Sequence, residues 1–324
     1  MLELEIQEYL DNLIGSIIKD IESCPQKSAL ASVVLTGSLG RDEGTFHLDK
    51  NTSKAVLDSD VELALVYKNG KKKEAEAIKA TLISKYTEDM NPMTISETRI
   101  RNGYNFNYSI LPPKNTSIFM YDFYNGSKTI WGEDLLTRDV PQYDRYEAKR
   151  IVANRIGELT CVQTGDAENK DKLITQWKGK LVLAIGSAYC ILQNKYQSKY
   201  EAQRDYIVSC NEQLSPVIGQ QFVEDYDKTF LFLRKGGNVH DIPMDRLIHY
   251  VDNVDRLFCK EGISHPKINS FSRNLKYAIA CVRSKAHLNP LTCEEKIIDE
   301  LIDDFVDKDD DIFETAKNWK NILY

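Results

Sequence analysis

Apolar residues recur near every 3.6 positions over residues 2–22, at Leu2, Ile6, Leu10, Leu13, Ile17 and Ile21, which predicts an amphipathic helix. The pattern then changes. Ala31 to Thr36 is a short β-branched run that predicts a buried strand ending at Gly37-Ser38, and Val61 to Tyr67 predicts a second strand closed by the Asn69-Gly70 turn. Between them, Gly44 to Ser53 is polar and irregular and reads as a loop. Lys71 to Tyr86 predicts a helix with a basic, solvated start. Thr94 to Arg101 and Tyr104 to Leu111 are β-rich, and the intervening Asn102-Gly103 predicts a hairpin between two strands.

From about Arg145 helical periodicity takes over, in stretches near 145–164, 170–196, 200–211, 215–233, 243–262, 267–285 and 294–305. The expected class is α+β. A sheet domain is expected over 1–143, a mixed sheet flanked by helices, and a helical domain over 144–324. No fixed-period repeat or low-complexity tract interrupts this plan.

Composition adds limits. Of 324 residues, 42% are hydrophobic and 28% charged, a globular profile. The net charge of -7 disfavours a general nucleic-acid binder, which needs a basic surplus. The seven cysteines, Cys24, Cys161, Cys190, Cys210, Cys259, Cys281 and Cys293, form no C-x-x-C pair and are odd in number. They suit buried, reduced thiols and a cytoplasmic protein. Acidic residues interrupt the apolar N-terminus, and no later run reaches the roughly 18 apolar residues of a membrane span.

Two segments carry candidate chemistry. The first is Gly37-Ser38-Leu39-Gly40-Arg41-Asp42-Glu43-Gly44, directly after a strand. Glycine-rich turns of this kind let backbone N–H groups approach a phosphate. The segment lacks the G-K-[ST] of a P-loop, and its G-x-x-G-x-x-x-G spacing is not the dinucleotide fingerprint. A tight turn that simply requires glycine is the plain alternative. The second is Asp58-Ser59-Asp60-Val61-Glu62-Leu63. Asp58, Asp60 and Glu62 share parity, so in a strand they face one way. Three carboxylates on one face repel unless a cation lies between them, and a hard divalent ion is the natural neutraliser. A solvated acidic edge is the alternative, but Asp60 and Glu62 open an otherwise apolar strand, which predicts an interior position.

An apolar strand, then Gly-Ser, then Ser-Asp-hydrophobic-Glu-Leu resembles the nucleotidyltransferase superfamily of DNA polymerase beta. The wording from Gly37 to Gly44 is similar to that of small bacterial antibiotic and protein nucleotidyltransferases. The motif covers about residues 31–67. Tyr121 to Leu135, with Ile130-Trp131-Gly132-Glu133-Asp134-Leu135, is a fainter likeness, and Trp177 to Tyr189 with Tyr196 and Tyr200 to Arg204 resembles the helical domain of the antibiotic enzymes.

The resemblance implies that Asp60 and Glu62, with Asp58 as a further candidate, hold one or two Mg²⁺ ions. Gly37 and Ser38 would grip the nucleotide phosphates. Arg41 would neutralise triphosphate charge, or pair with Asp42 or Glu43. Lys178 and Lys180 would reach the phosphates, or lie on a helix surface. Family members often carry a third carboxylate on a neighbouring strand. Here the corresponding position reads Asn107, which can ligate a metal but is no base at neutral pH. Glu97 and Asp122 are substitutes without a place. The segment Thr45 to Leu57, longer than usual, would line the cleft; its His47 is either a solvated loop residue or a base.

The implied reaction transfers a nucleoside monophosphate from an NTP to a hydroxyl of a small acceptor, antibiotic- or sugar-like, with pyrophosphate leaving. No membrane partner is expected. Two alternatives stand beside it: nucleotidylation of a protein or tRNA, and a catalytically silent nucleotide-binding module, suggested by Asn107.

Overall fold

The computed structural model describes residues 2–48, 55–57, 59–86, 90–102, 117–136, 142–164, 169–235 and 237–263. Asp58, Asn107, the expected strand Tyr104 to Leu111 and the expected helices 267–285 and 294–305 lie outside them. The chain is α+β and separates into two units. Residues 1–144 together with Ser198–Tyr200 form the first; the second begins at Arg145 and takes the rest.

The first unit is organised by α1 (Leu2–Ser23), β1 (Leu30–Leu35), the single helical turn α2 (Gly37–Gly40), β2 (Phe46–Leu48), β3 (Ala55–Leu57), β4 (Val61–Tyr67), α3 (Lys72–Lys85), β5 (Met90–Ser96), α4 (Glu97–Asn102), α5 (Ile118–Asn125) and β6 (Lys128–Gly132). Four strands form one mixed sheet in the order β5-β4-β1-β6. β4 runs parallel to β5, joined through α3, and antiparallel to β1, which is antiparallel to β6. β4 is therefore an interior strand, as its apolar run predicts.

Alternation along β4 divides the core. Val61, Leu63 and Leu65 join Leu13, Ile17 and Ile21 of α1 and Ala75, Ile78 and Leu82 of α3. Ala64 and Val66 join Ile100 of α4 and Met120, Phe123 and Tyr124 of α5. Helices thus cover both faces, and the strand reads as nearly continuous apolar sequence for that reason. Glu62 shares the parity of Ala64 and Val66, so it belongs to the α4–α5 face at the strand's entrance.

Two expectations are corrected. Thr94 to Arg101 is not one strand, because β5 stops at Ser96 and residues 97–102 are helical. Ser96 supplies the reason: its hydroxyl accepts from Arg99 N at 3.2 Å, a helix cap, and Glu97 pairs with Arg101 four residues on at 2.8 Å. Nor is the segment from Gly44 wholly irregular. β2 pairs antiparallel with β3, with Phe46 opposite Leu57 and His47 opposite Val56. Phe46 and Leu57 pack on the α1 cluster, with the Phe46 ring edge-on to Tyr9.

The second unit is helical in its described residues: α6 (Glu147–Thr164), α7 (Lys170–Leu192), α8 (Tyr200–Ser209, whose first residue groups with the first unit), α9 (Asn211–Leu214), α10 (Phe222–Lys235) and α11 (Met244–Lys260). Helix α7 is its axis. Residues 181–192 are buried without a polar stripe, as expected of a helix surrounded by others. Gly186 admits the Tyr226 ring, which a Cβ there would meet at 2.2 Å. At the start of α10, buried Asp225 accepts from Tyr250 Oη at 2.7 Å, from Arg246 at 3.0 Å and lies 3.0 Å from His240 Nε2. Three partners satisfy a carboxylate that would be costly to bury alone. No helix among the described residues is long and apolar enough to cross a membrane.

Candidate functional site

The chain leaves β1 at Thr36, whose N–H donates to Glu62 O at 2.9 Å and extends the β1–β4 ladder one step beyond the strands. Gly37 then turns into α2 at φ +65°, the left-handed region. A Cβ on Gly37 would fall 1.4 Å from Glu62 Oε2 and 2.5 Å from its Cδ. The Glu62 carboxylate therefore fills the space above the bare Gly37 backbone. The turn after the first strand and the acid opening the second do converge.

Further contacts hold the turn. Leu39 anchors it in the α1 cluster, and Gly40 brings backbone against backbone: a Cβ there would meet Leu35 O at 2.6 Å and Gly126 O at 2.9 Å. Gly40 N donates to Thr36 O, and Glu43 N to Ser38 O at 2.8 Å. Thr45 N donates to the Ser59 hydroxyl at 2.8 Å, tying the exit of the turn to the residue just before Asp60. Ser38 is buried, Asp60 and Glu62 half-buried. Thr36 gives α2 no side-chain cap, so the N–H groups of its first turn are left to other partners.

The charges around the turn are partly committed. Arg41 Nε lies 3.1 Å from Glu43 Oε2, both side chains largely shielded, so the pairing weighed for Arg41 is the one adopted with Glu43. Asp42, itself left-handed at φ 62°, pairs with Lys128 and, at 3.7 Å, with Lys199. Glu97 is bound to Arg101, which also reaches Glu133 at 2.5 Å. Asp122 lies on α5, one turn before Gly126; burial, and secondarily the Asp122 charge, push the Tyr121 phenol up. Within the second unit, Lys178 pairs with Asp241 at 2.9 Å, and the Lys180 ammonium stands 3.9 Å from the Trp177 ring centroid.

The structure thus gathers Gly37, Ser38, Asp60 and Glu62 at one end of the sheet, with Arg41 one helical turn away. Among the described residues no three His, Cys, Asp or Glu side chains converge as a metal cluster. The sequence did not reveal the close backbone approach at Gly40 and Gly126; the glycine in Asn125-Gly126-Ser127 was its only visible sign. The anchoring by Ser59 was signalled by nothing beyond its place between two acids. Comparison with protein-family models, with curated proteins and with solved structures finds no match for this chain.

Proposed function

We propose that this chain is a Mg²⁺-dependent nucleotidyltransferase that moves a nucleoside monophosphate from an NTP to a hydroxyl of a small, antibiotic- or sugar-like acceptor and releases pyrophosphate. One observation carries the reading: the Glu62 carboxylate occupies the cradle that a Cβ on Gly37 would fill, at the entrance of an interior strand. Asp60 and Glu62 offer hard oxygen donors that suit Mg²⁺. When bound there, the ion supplies charge neutralisation of the phosphates and of the leaving oxygen.

The chain's own residues do the rest. Gly37 and Ser38 bind phosphate oxygens through the N–H groups of the uncapped α2 turn and through the Ser38 hydroxyl. The Gly40 contacts hold that turn rigid, so little ordering cost falls on the bound state. Arg41 stands beside it with its Nε on Glu43, so the pair brings no net positive charge and a phosphate contact would fall to the terminal amino groups of Arg41. Lys178 and Lys180 would have to exchange Asp241 and Trp177 for phosphate before taking part. The acceptor hydroxyl oxygen forms the new bond to the α-phosphorus and its proton passes to solvent, while the phosphoanhydride bond between the α- and β-phosphates breaks and its electron pair leaves with pyrophosphate. In this reading the sheet is the polymerase-beta-like core and the second unit its helical bundle partner.

The test is incubation with each α-labelled NTP and Mg²⁺, alone and with hydroxylated acceptors, comparing native protein with Asp60→Asn. Label transfer by the native chain and none by the variant, at unchanged circular dichroism and Tm, is expected. A variant of full activity overturns the assignment.

A further inference from the structure

Arg41 is gripped from two directions. Glu43 takes its Nε, and the guanidinium carbon stands 5.7 Å from the centroid of the Tyr200 ring. Tyr200 comes from Ser198–Tyr200, the one stretch beyond residue 144 that groups with the first unit. Its neighbour Lys199 reaches Asp42, so this stretch engages two successive residues of the glycine-rich turn. Gly126 makes the approach feasible, because a Cβ there would stand 2.9 Å from Arg41 Cγ and 3.0 Å from Ser198 Cβ.

We propose that Tyr200 is a positioning residue, whose ring orders the Arg41 guanidinium for the triphosphate of the incoming NTP; this rests on the nucleotidyltransferase reading. The aromatic face carries the negative end of the ring quadrupole and attracts the cation. The ring limits the conformations open to the Arg41 side chain, and an ordered guanidinium can meet a phosphate with a forked pair of N–H donors. Glu43 holds the Nε and Tyr200 flanks the guanidinium carbon. An arginine ordered before the nucleotide arrives loses less side-chain freedom on binding. Tyr200 itself need not touch the nucleotide, so its effect falls on nucleotide affinity and not on the chemical step.

The experiment compares native protein, Tyr200→Ala and Tyr200→Phe in full-length chain, with Mg²⁺, the hydroxylated acceptors of the transfer assay and each of ATP, CTP, GTP and UTP. KM and kcat are read from pyrophosphate release, and hydrogen exchange is followed at the Gly40–Glu43 amides. Tyr200→Ala should raise the NTP KM about three- to tenfold, the range of a partly shielded cation–π contact, with kcat within about twofold. It should also speed exchange at those amides. Tyr200→Phe, which keeps the ring face, should match the native protein in both readouts. Tyr200→Ala with native KM, or Tyr200→Phe as impaired as Tyr200→Ala, overturns the inference while the enzyme reading stands. A native protein that releases pyrophosphate from no NTP with any of these acceptors overturns the enzyme reading and the inference with it.

Discussion

Replacing Gly37 by Ala tests the Glu62 contact directly. Two costs arise. A side chain at φ +65° is strained by about 1–2 kcal/mol. The new methyl also claims a point 1.4 Å from Glu62 Oε2, so the carboxylate must rotate away, at about 0.5–1.5 kcal/mol if it leaves its rotamer well. The clashing atoms are the far end of a flexible side chain, so the sheet itself can stay in place. The expected loss is about 2 kcal/mol, a shift of about 1 M in urea midpoint for a slope of about 2 kcal/mol per M. Trp131 on β6 reports on the first unit in a background where Trp177 and Trp319 are Phe, so that unit's transition is read separately. In a Glu62→Ala background the steric part disappears, and Gly37→Ala should cost only the backbone strain. If the two substitutions are strictly additive, the Glu62 carboxylate does not occupy the space above Gly37. Under the proposed function, Gly37→Ala should also lose nucleotide transfer far beyond its stability cost; full transfer activity would refute the role given to Glu62.

Gly40→Ala should be worse for folding, because its Cβ meets the carbonyl oxygens of Leu35 and Gly126 and no rotamer relieves a backbone clash; a loss of at least about 2–3 kcal/mol is expected in the same urea assay. Burial and the neighbouring Cys210 push the Cys190 thiol up to about 12, so Cys190 should resist alkylation at pH 8 in native protein while exposed Cys259 reacts, read by peptide mass mapping. Burial and Asp225 push the Tyr250 phenol above its ordinary 10.0. The unfolded chain then gives up its phenol proton first, so this contribution is complete below pH 10 and declines as pH climbs toward the folded value. Tyr250→Phe should lower stability at pH 7 by about 1–2 kcal/mol and flatten the alkaline decline of the urea midpoint.

What could be read from the sequence follows the range of the forces involved. β4 was legible because burial on both faces writes itself as an uninterrupted apolar run, and Glu62 stood out as the charge that breaks it. α4 was misread because Thr94 to Arg101 is rich in strand formers, while the cap at Ser96 and the Glu97–Arg101 pair, which decide the matter, are single contacts. β2 and β3 are three residues each, too short for a period to emerge; what orders Phe46 and Leu57 is their burial against α1, a tertiary effect. The meeting of Gly37 with Glu62 followed from parity and strand order. The approach of Gly126 to Gly40, and of Tyr200 to Arg41, joins positions 86 and 159 apart in the chain, and no local pattern announces either.

That first unit is not a continuous stretch of polypeptide. A fragment cut after Asp144, the natural choice for isolating the sheet, would omit Ser198–Tyr200. It would remove Ser198 from beside Gly126, take the Tyr200 ring away from Arg41 and remove one of the two lysines at Asp42. Excision therefore damages the piece it is meant to purify, and an inert fragment would say nothing against catalysis by the intact chain.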